Sequence, residues 1–334
     1  MKLKVLIKLT LFLFCYSAFG FQGRSYVTYQ LPLGRLGDKL VSYIHAKWLA
    51  YKFGLKMLYR PFEYSDKLML SKIDEPFGRI NRSYYGYIRP YKGSKPNYYN
   101  KSNVLFEICY FPECQEELIE PHPYYHFSVN YKDPEFKALL QKAISPIVEL
   151  DTIKPPKDCI SLAVQVRRNS GGFDYPLSFE VIEKLGYLPE GKYTDFIYPL
   201  KHPSDDYYIE QIKKASEFFN HQQMYLFIFT DDPKPALIVE KYRELLKDYN
   251  NIKFDYRKSD NGHQFNVLED LFSITNFDAF IRPASNLGFV ASIIGNFKLV
   301  ISPKTHKKEG NKIIIDSVDF QTSSVKPTND IKPR

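Results

Sequence analysis

From residue 158 onward the sequence alternates short, near-continuous apolar runs with segments of helical period, and few folds accept that alternation. The runs are Ile160 to Val166, Met224 to Phe229, Ile252 to Tyr256, Ala279 to Ile281 and Lys298 to Ile301, and the helical patterns fall at 205–219, 235–248, 266–275 and 286–294. A strand that is apolar at nearly every position is buried on both faces, and strands separated by helices pair in parallel. The expectation is a doubly wound parallel sheet over 158–310, an α/β domain that binds ligands at the carboxyl ends of its strands.

The first half opens in the same way with less regularity. Ser25 to Leu31 is rich in β-formers, Leu33-Gly34-Arg35-Leu36-Gly37 reads as a turn, and from Asp38 a helical period sets in. Leu40, Val41, Ile44, Trp48 and Leu49 share one face of that helix, and Gly54 stops it. Asp38 stands where a helix cap would. The stretch 60–131, rich in Tyr, Pro and Asn, shows no clear period, whereas Asp133-Pro134 is a cap followed by a first-turn proline. With 334 residues, 44% of them apolar, the chain is long enough for two cores. The expected division is an N-terminal domain over 21–150, a linker at 151–157, the C-terminal domain over 158–310, and a mobile polar tail at 311–334.

Residues 1–20 stand apart. Lys2, Lys4 and Lys8 flank or interrupt the apolar run Val5 to Phe14, and Ser17-Ala18-Phe19-Gly20 offers the small residues of a cleavage site. This is the pattern of a signal peptide, which places the chain in the secretory pathway or exports it; the alternative is a membrane anchor over 4–20. The formal charge of +8 falls to +5 without the three leader lysines. That excess suits an anionic ligand and is too dispersed for nucleic acid. Cys109, Cys114, His122 and His126 have a spacing unlike that of zinc fingers, so a Cys109–Cys114 disulfide or plain loop residues are expected rather than a metal site.

Candidate chemistry stands just after three of the strands. Gln165-Val166-Arg167-Arg168 leaves the first run with two guanidinium forks suited to a diphosphate. Thr230-Asp231-Asp232-Pro233 leaves the second, where the carboxylates serve as loop caps, nucleotide contacts or a metal site. Arg282-Pro283-Ala284-Ser285-Asn286 leads into a helix whose N-terminal N–H groups favour an anion, with Ser285 placed to cap it.

These motifs resemble those of a known family. Gly34-Arg35-Leu36-Gly37-Asp38-Lys39 is similar to the G-R-[FL]-G-N-Q opening of protein O-fucosyltransferases and to G-x-L-G-N-Q of α-1,2-fucosyltransferases. Gln165-Val166-Arg167-Arg168 resembles their H-x-R-R, Thr230-Asp231-Asp232 their [ST]-D-D turn, and Asp270 to Ser285 their D…S spacing, with Thr275 and Asp278 at family-like positions. The resemblance implies a GT-B-like pair of Rossmann-like domains facing a cleft, with the acceptor side first. It implies a GDP-sugar donor, GDP-fucose above all, a glycan or glycoprotein acceptor, inversion at the sugar carbon, and neither cofactor nor metal. By position, Arg167, Arg35 and Asp38 would be catalytic. Gln165, Arg167, Arg168, Asp231, Asp270, Ser285 and Asn286 would bind the donor, with Asp270 on guanine and Ser285 and Asn286 on phosphate. Three positions depart from the pattern: Gln165 replaces His, Asn169-Ser170 replaces Gly-Asp, and Asp38-Lys39 replaces Asn-Gln. A glutamine hydrogen-bonds but is neither cation nor base. The alternative reading is therefore an exported carbohydrate- or nucleotide-binding protein that keeps the fold without turnover.

Overall fold

The computed structural model describes residues 25–81, 85–89, 101–109, 129–168, 198–262, 264–309 and 312–323. The leader, Cys114, His122, His126 and Asn169-Ser170 lie outside the described residues.

The first unit is built on a five-stranded, wholly parallel sheet. Strand β1 (Tyr26–Tyr29) leads into helix α1 (Leu36–Phe53), followed by β2 (Lys56–Tyr59), a one-turn helix α2 (Leu70–Ile73), β3 (Glu75–Pro76), β4 (Gly86–Ile88), β5 (Val104–Ile108) and helix α3 (Pro134–Ala143). The sheet order is β3-β2-β1-β5-β4, with Val27 facing Met57 on one side and Phe106 on the other. The stretch without a clear period thus contains three strands, β3, β4 and β5, each too short for a two-residue period to show. Helix α1 buries Leu40, Val41, Ile44, Trp48 and Leu49 as expected, and Gly54 ends it in the left-handed conformation at φ 64°. Asp133 caps α3 by accepting from the Glu135 and Phe136 amides, both at 3.0 Å.

The second unit holds β6 (Ile160–Val166), α4 (Tyr198–Lys201), α5 (Asp205–Phe218), β7 (Met224–Thr230), α6 (Pro235–Leu245), β8 (Ile252–Tyr256), α7 (Val267–Ile274), β9 (Ala279–Ile281), α8 (Asn286–Ile294), β10 (Leu299–Glu309) and β11 (Lys312–Thr322). Its order, β11-β10-β9-β6-β7-β8, is that of a Rossmann sheet, and the winding reverses between β6 and β9. All pairs are parallel except β10 with β11. The two-domain α/β architecture inferred from the sequence is the observed one.

Three expectations are corrected. The segment from 311, expected to be a mobile tail, begins with β11, which pairs along β10 and packs Ile315 and Val318 onto the core. Its polar ending masked a half-buried edge strand. Helix α1 starts at Leu36 rather than Asp38, because Leu36 is buried and draws the first turn inward. Cys109 is a free thiol, so no small loop is closed through it.

The units share one apolar cluster that runs from β1, β5 and α1 through α3 to α8 and the near face of β7. Helix α3 crosses to the C-terminus of α8, where Lys137 Nζ donates to the Gly295 carbonyl at 2.7 Å and Gln141 Nε2 to the Ile294 carbonyl at 2.9 Å. Those are the carbonyls a helix end leaves without partners. At its other end α8 meets Gly37 of α1 so closely that a Cβ there would overlap the Leu287 amide nitrogen and lie 2.8 Å from the Asn286 carbonyl carbon. Both obstacles are backbone. Gly37→Ala is expected to lower stability by about 1–3 kcal/mol through this overpacking, read as a lower midpoint in chemical denaturation.

Candidate functional site

A cleft of about 850 Å³ lies between the units, and both contribute to its walls. It opens at the carboxyl ends of β6 and β9, the reversal point where an α/β sheet of this order leaves a crevice. Gln165 and Arg167 from β6, Asp231 after β7, Asp270 from α7, and Ser285 and Asn286 at the start of α8 all line it. Arg35 and Asp38 line it from the first unit. Of the nine residues singled out in the sequence, Arg168 alone does not.

The pleat explains the exception. Along β6, Ala163 packs towards α1, α7 and α8, whereas Leu162, Val164 and Val166 pack towards α5 and α6. Successive side chains alternate faces, so Gln165 and Arg167 follow Ala163 into the cleft and Arg168 follows Val166 to the back. There the buried Arg168 guanidinium pairs with Asp205, which also accepts from Tyr242 Oη at 2.7 Å and Lys241 Nζ at 2.6 Å. Burial opposes the ionisation of Asp205, but the Arg168 charge and the three donors outweigh it and hold the carboxyl below its usual range. Arg168, expected to bind the donor, is therefore held in a buried ion pair and does not line the cleft. Its backbone amide donates to Asp231 Oδ1 at 2.6 Å, so Asp231 braces the strand end from which Arg167 projects.

Two helix N-termini converge on the cleft. The caps of α1 and α8 are Arg35 and Ser285, and neither side chain bonds its helix's N–H groups. Ser285, expected to cap with its hydroxyl, holds an extended backbone and accepts through its carbonyl from Phe289 at 2.8 Å. Asn286 Nδ2 donates to Asp38 Oδ1 at 2.6 Å. Asp38 and Asn286, assigned to separate tasks in the sequence, are thus partners across the unit boundary, and Asp38 is neither cap nor detached base. A Cβ on Gly288 would collide with Gln165 Oε1, so glycine makes room for the glutamine beside the first turn of α8.

Asp270 is held differently. Arg257, just past β8, donates to its Oδ1 from Nη2 at 2.6 Å and from Nε at 3.2 Å. Burial pushes the Asp270 carboxyl up to about 6, a rise limited by the charge and hydrogen bonds of Arg257 and aided by Glu269. Between the ordinary value of 3.8 and about 6 the folded chain keeps a proton that the unfolded chain has lost, so this group favours folding at low pH and stops doing so as pH rises. Asp205, with its depressed value, contributes stability at neutral pH that is lost on acidification.

Several cleft residues escaped the sequence reading. Lys201 follows a stretch without pattern, and the exposed Phe265 belongs to the β8–α7 connection, as does Arg257, which reaches the cleft only through Asp270. Glu63 and Tyr64 come from the first unit, Tyr64 with a left-handed backbone at φ 65°. Such a conformation costs a tyrosine about 1–2 kcal/mol and concentrates at binding sites. That signal is invisible in sequence. Among the described residues no group of three or more His, Cys, Asp and Glu side chains is placed to hold a metal ion.

The fold and the cleft define a two-unit α/β protein with a cleft between its halves, lined by Arg167 and by the first turns of α1 and α8. No protein-family model matches the sequence, and no curated protein matches it. Among solved structures the chain is similar to POFUT1 in complex with GDP-fucose, at 12% identity over 84% of this chain and 97% of that one, TM-score 0.43. It is also similar to a mutant of Arabidopsis thaliana FUT1 in complex with GDP, at 10% identity over 89% of this chain and 74% of that one, TM-score 0.46. A third is NodZ alpha-1,6-fucosyltransferase soaked with GDP-fucose, at 11% identity over 90% of this chain and 99% of that one, TM-score 0.42. Each is a likeness of overall arrangement at low identity.

The division between the two arginines is testable. Arg168→Ala leaves Asp205 buried beside fewer donors and is expected to cost about 3–5 kcal/mol, whereas Arg167→Ala leaves stability nearly unchanged. Thermal denaturation of the two variants checks this.

Proposed function

We propose that the chain is a glycosyltransferase that moves a sugar, with fucose the leading candidate, from a GDP-sugar to a hydroxyl of a glycan or protein. The observation that carries this reading is that Arg167, the start of α8 and Asp270 line one cleft at the reversal point of the sheet. A nucleoside diphosphate needs that set: donors for phosphate and an acceptor for a base. The motif resemblance adds guanine, whose N1–H and 2-amino group present two donors to one carboxylate.

The chemistry is a displacement with inversion. The acceptor hydroxyl oxygen bonds to the sugar carbon from the face opposite the diphosphate and gives up its proton to water, and the old carbon–oxygen bond breaks with its electron pair passing to GDP. Arg167 and the α8 N–H groups stabilise that charge, and no divalent ion is required. The acceptor lies against the first unit, where Glu63 and Tyr64 form the wall. The leader sends the chain into the secretory pathway or outside the cell. Two features favour a second reading, a binding protein without turnover: Gln165 is an amide where the resembling motif has His, and Asp38 is engaged by Asn286.

GDP is expected to raise the melting temperature more than UDP or ADP at equal concentration, with a chelator present or absent. Equal shifts for the three nucleotides would remove the guanine assignment, and loss of the GDP shift on chelation would remove metal independence. Arg167→Lys keeps the charge but not the fork, and transfer should fall on the order of a hundredfold. GDP retained without transfer of a labelled sugar to any acceptor would favour the binding protein. GDP affinity should also rise with pH through about 6, because only the ionised Asp270 accepts both guanine donors. Isothermal titration between pH 5 and 7.5 measures it, and a flat profile would exclude Asp270 from the contact.

A further inference from the structure

The β8–α7 connection is more ordered than a plain crossover requires. Asn261 Nδ2 donates to the Arg257 carbonyl at 2.8 Å and Asn266 Nδ2 to the Asp260 carbonyl at 2.9 Å, so both ends of the loop are tied by their own side chains. Asp260 and Asn266 take left-handed backbones, and Gly262, at φ 149°, lies against the Phe265 ring. The loop thereby presents an aromatic ring, 55% exposed, to the cleft, and it turns an arginine that does not itself line the cleft onto Asp270, which does. Arg257 sends both of its hydrogen bonds to one oxygen, Oδ1, and none to Oδ2.

The geometry points to Arg257 as the positioning residue for base recognition: by clamping Asp270 Oδ1 it turns Oδ2 towards the cleft to accept from a guanine ring seated against Phe265. The inference rests on the proposed GDP-sugar reading and assigns the determinant of its base selectivity. A carboxylate on a helix rotates about two side-chain bonds and would otherwise present either oxygen. Two donors converging on one oxygen remove that freedom before ligand arrives, which lowers the ordering cost of binding. A purine face matches the exposed ring, which no other described aromatic covers. The charged and titratable groups around Asp270 are few: Arg257 from the loop, Glu269 from its own helix, and Glu63 with Tyr64 from the opposite wall. Burial, Glu63 and Glu269 together raise the Tyr64 phenol, which keeps it neutral and leaves Arg257 as the cation that governs Asp270.

The test compares GDP with IDP, which lacks the 2-amino group, by isothermal titration on wild type, Arg257→Gln and Arg257→Lys across pH 5 to 8. The wild type should favour GDP over IDP. In Arg257→Gln that preference should drop about tenfold, the scale of one charge-assisted hydrogen bond. The pH midpoint of GDP binding should also move upward, because the cation that restrained the Asp270 carboxyl is gone. Arg257→Lys restores charge without the fork, so the midpoint should return towards wild type while selectivity stays impaired; this variant carries the test if the glutamine variant does not fold. A merely structural arginine would weaken both nucleotides alike and leave the midpoint in place, which would overturn the inference while the GDP reading stands. Absence of GDP binding by the wild type would overturn both.

Discussion

The whole site depends on the close approach of α1 and α8 at Gly37. Helices from the two units meet there at their first turns, and the contact is backbone against backbone. Two N-terminal dipoles pointing into one space repel, so the approach needs a negative group between them. Asp38 is that group, bonded to Asn286 of the facing helix. The carboxylate thus joins the units and tempers the field of both termini. At the far end of α8, Lys137 and Gln141 of α3 hold the last carbonyls. With both ends of α8 fixed by the first unit, the cleft geometry belongs to the pair of units and not to either alone.

Charge is then sorted by the pleat. Arg167 and Arg168 are adjacent in sequence, yet one enters the cleft and the other the back of the sheet. The consequences differ because the environments differ. Arg168 lies among buried phenols beside Asp205, and a buried ion pair of this kind holds an arrangement in place more than it adds net stability. Because its amide also fixes Asp231, the network behind the sheet holds the strand end from which Arg167 emerges. A rigid Arg167 is what a diphosphate site requires, since a fork must be aimed before its ligand arrives.

The second unit was legible in the sequence because its strands are apolar throughout and its helices have strong period, so every predicted strand from Ile160 to Ile301 and every helix after 205 has a counterpart. The first unit was legible at its opening and at the start of α3 but not between them, since β3 and β4 have two and three residues and carry no detectable period. Site residues were found where strand ends could be located. Missed were those whose role depends on contacts distant in sequence: Arg257 is defined by Asp270, Tyr64 by a backbone angle, and the Asp38–Asn286 bond spans 248 positions. Capping rules misled at Asp38, which lies in the first turn of α1 rather than at its cap, and held at Ser285, which is the cap residue of α8 although its hydroxyl makes no cap bond.

Gln165 stands where the resembling motif has a histidine, and the difference is small in charge. An ordinary histidine, with its pKa of about 6.5, is mostly neutral at pH 7, so the exchange removes little positive charge from the cleft. Each helix N-terminus supplies about half a unit of positive charge at any pH, and Arg167 a full one. The field that attracts an anion therefore survives the exchange, and what changes is hydrogen bonding and shape. The carboxamide fills the space left by Gly288, and its Oε1 is buried with no hydrogen-bond partner. A side chain fitted so closely beside the start of α8 shapes the wall of the cleft there, a task that needs neither a cation nor a base.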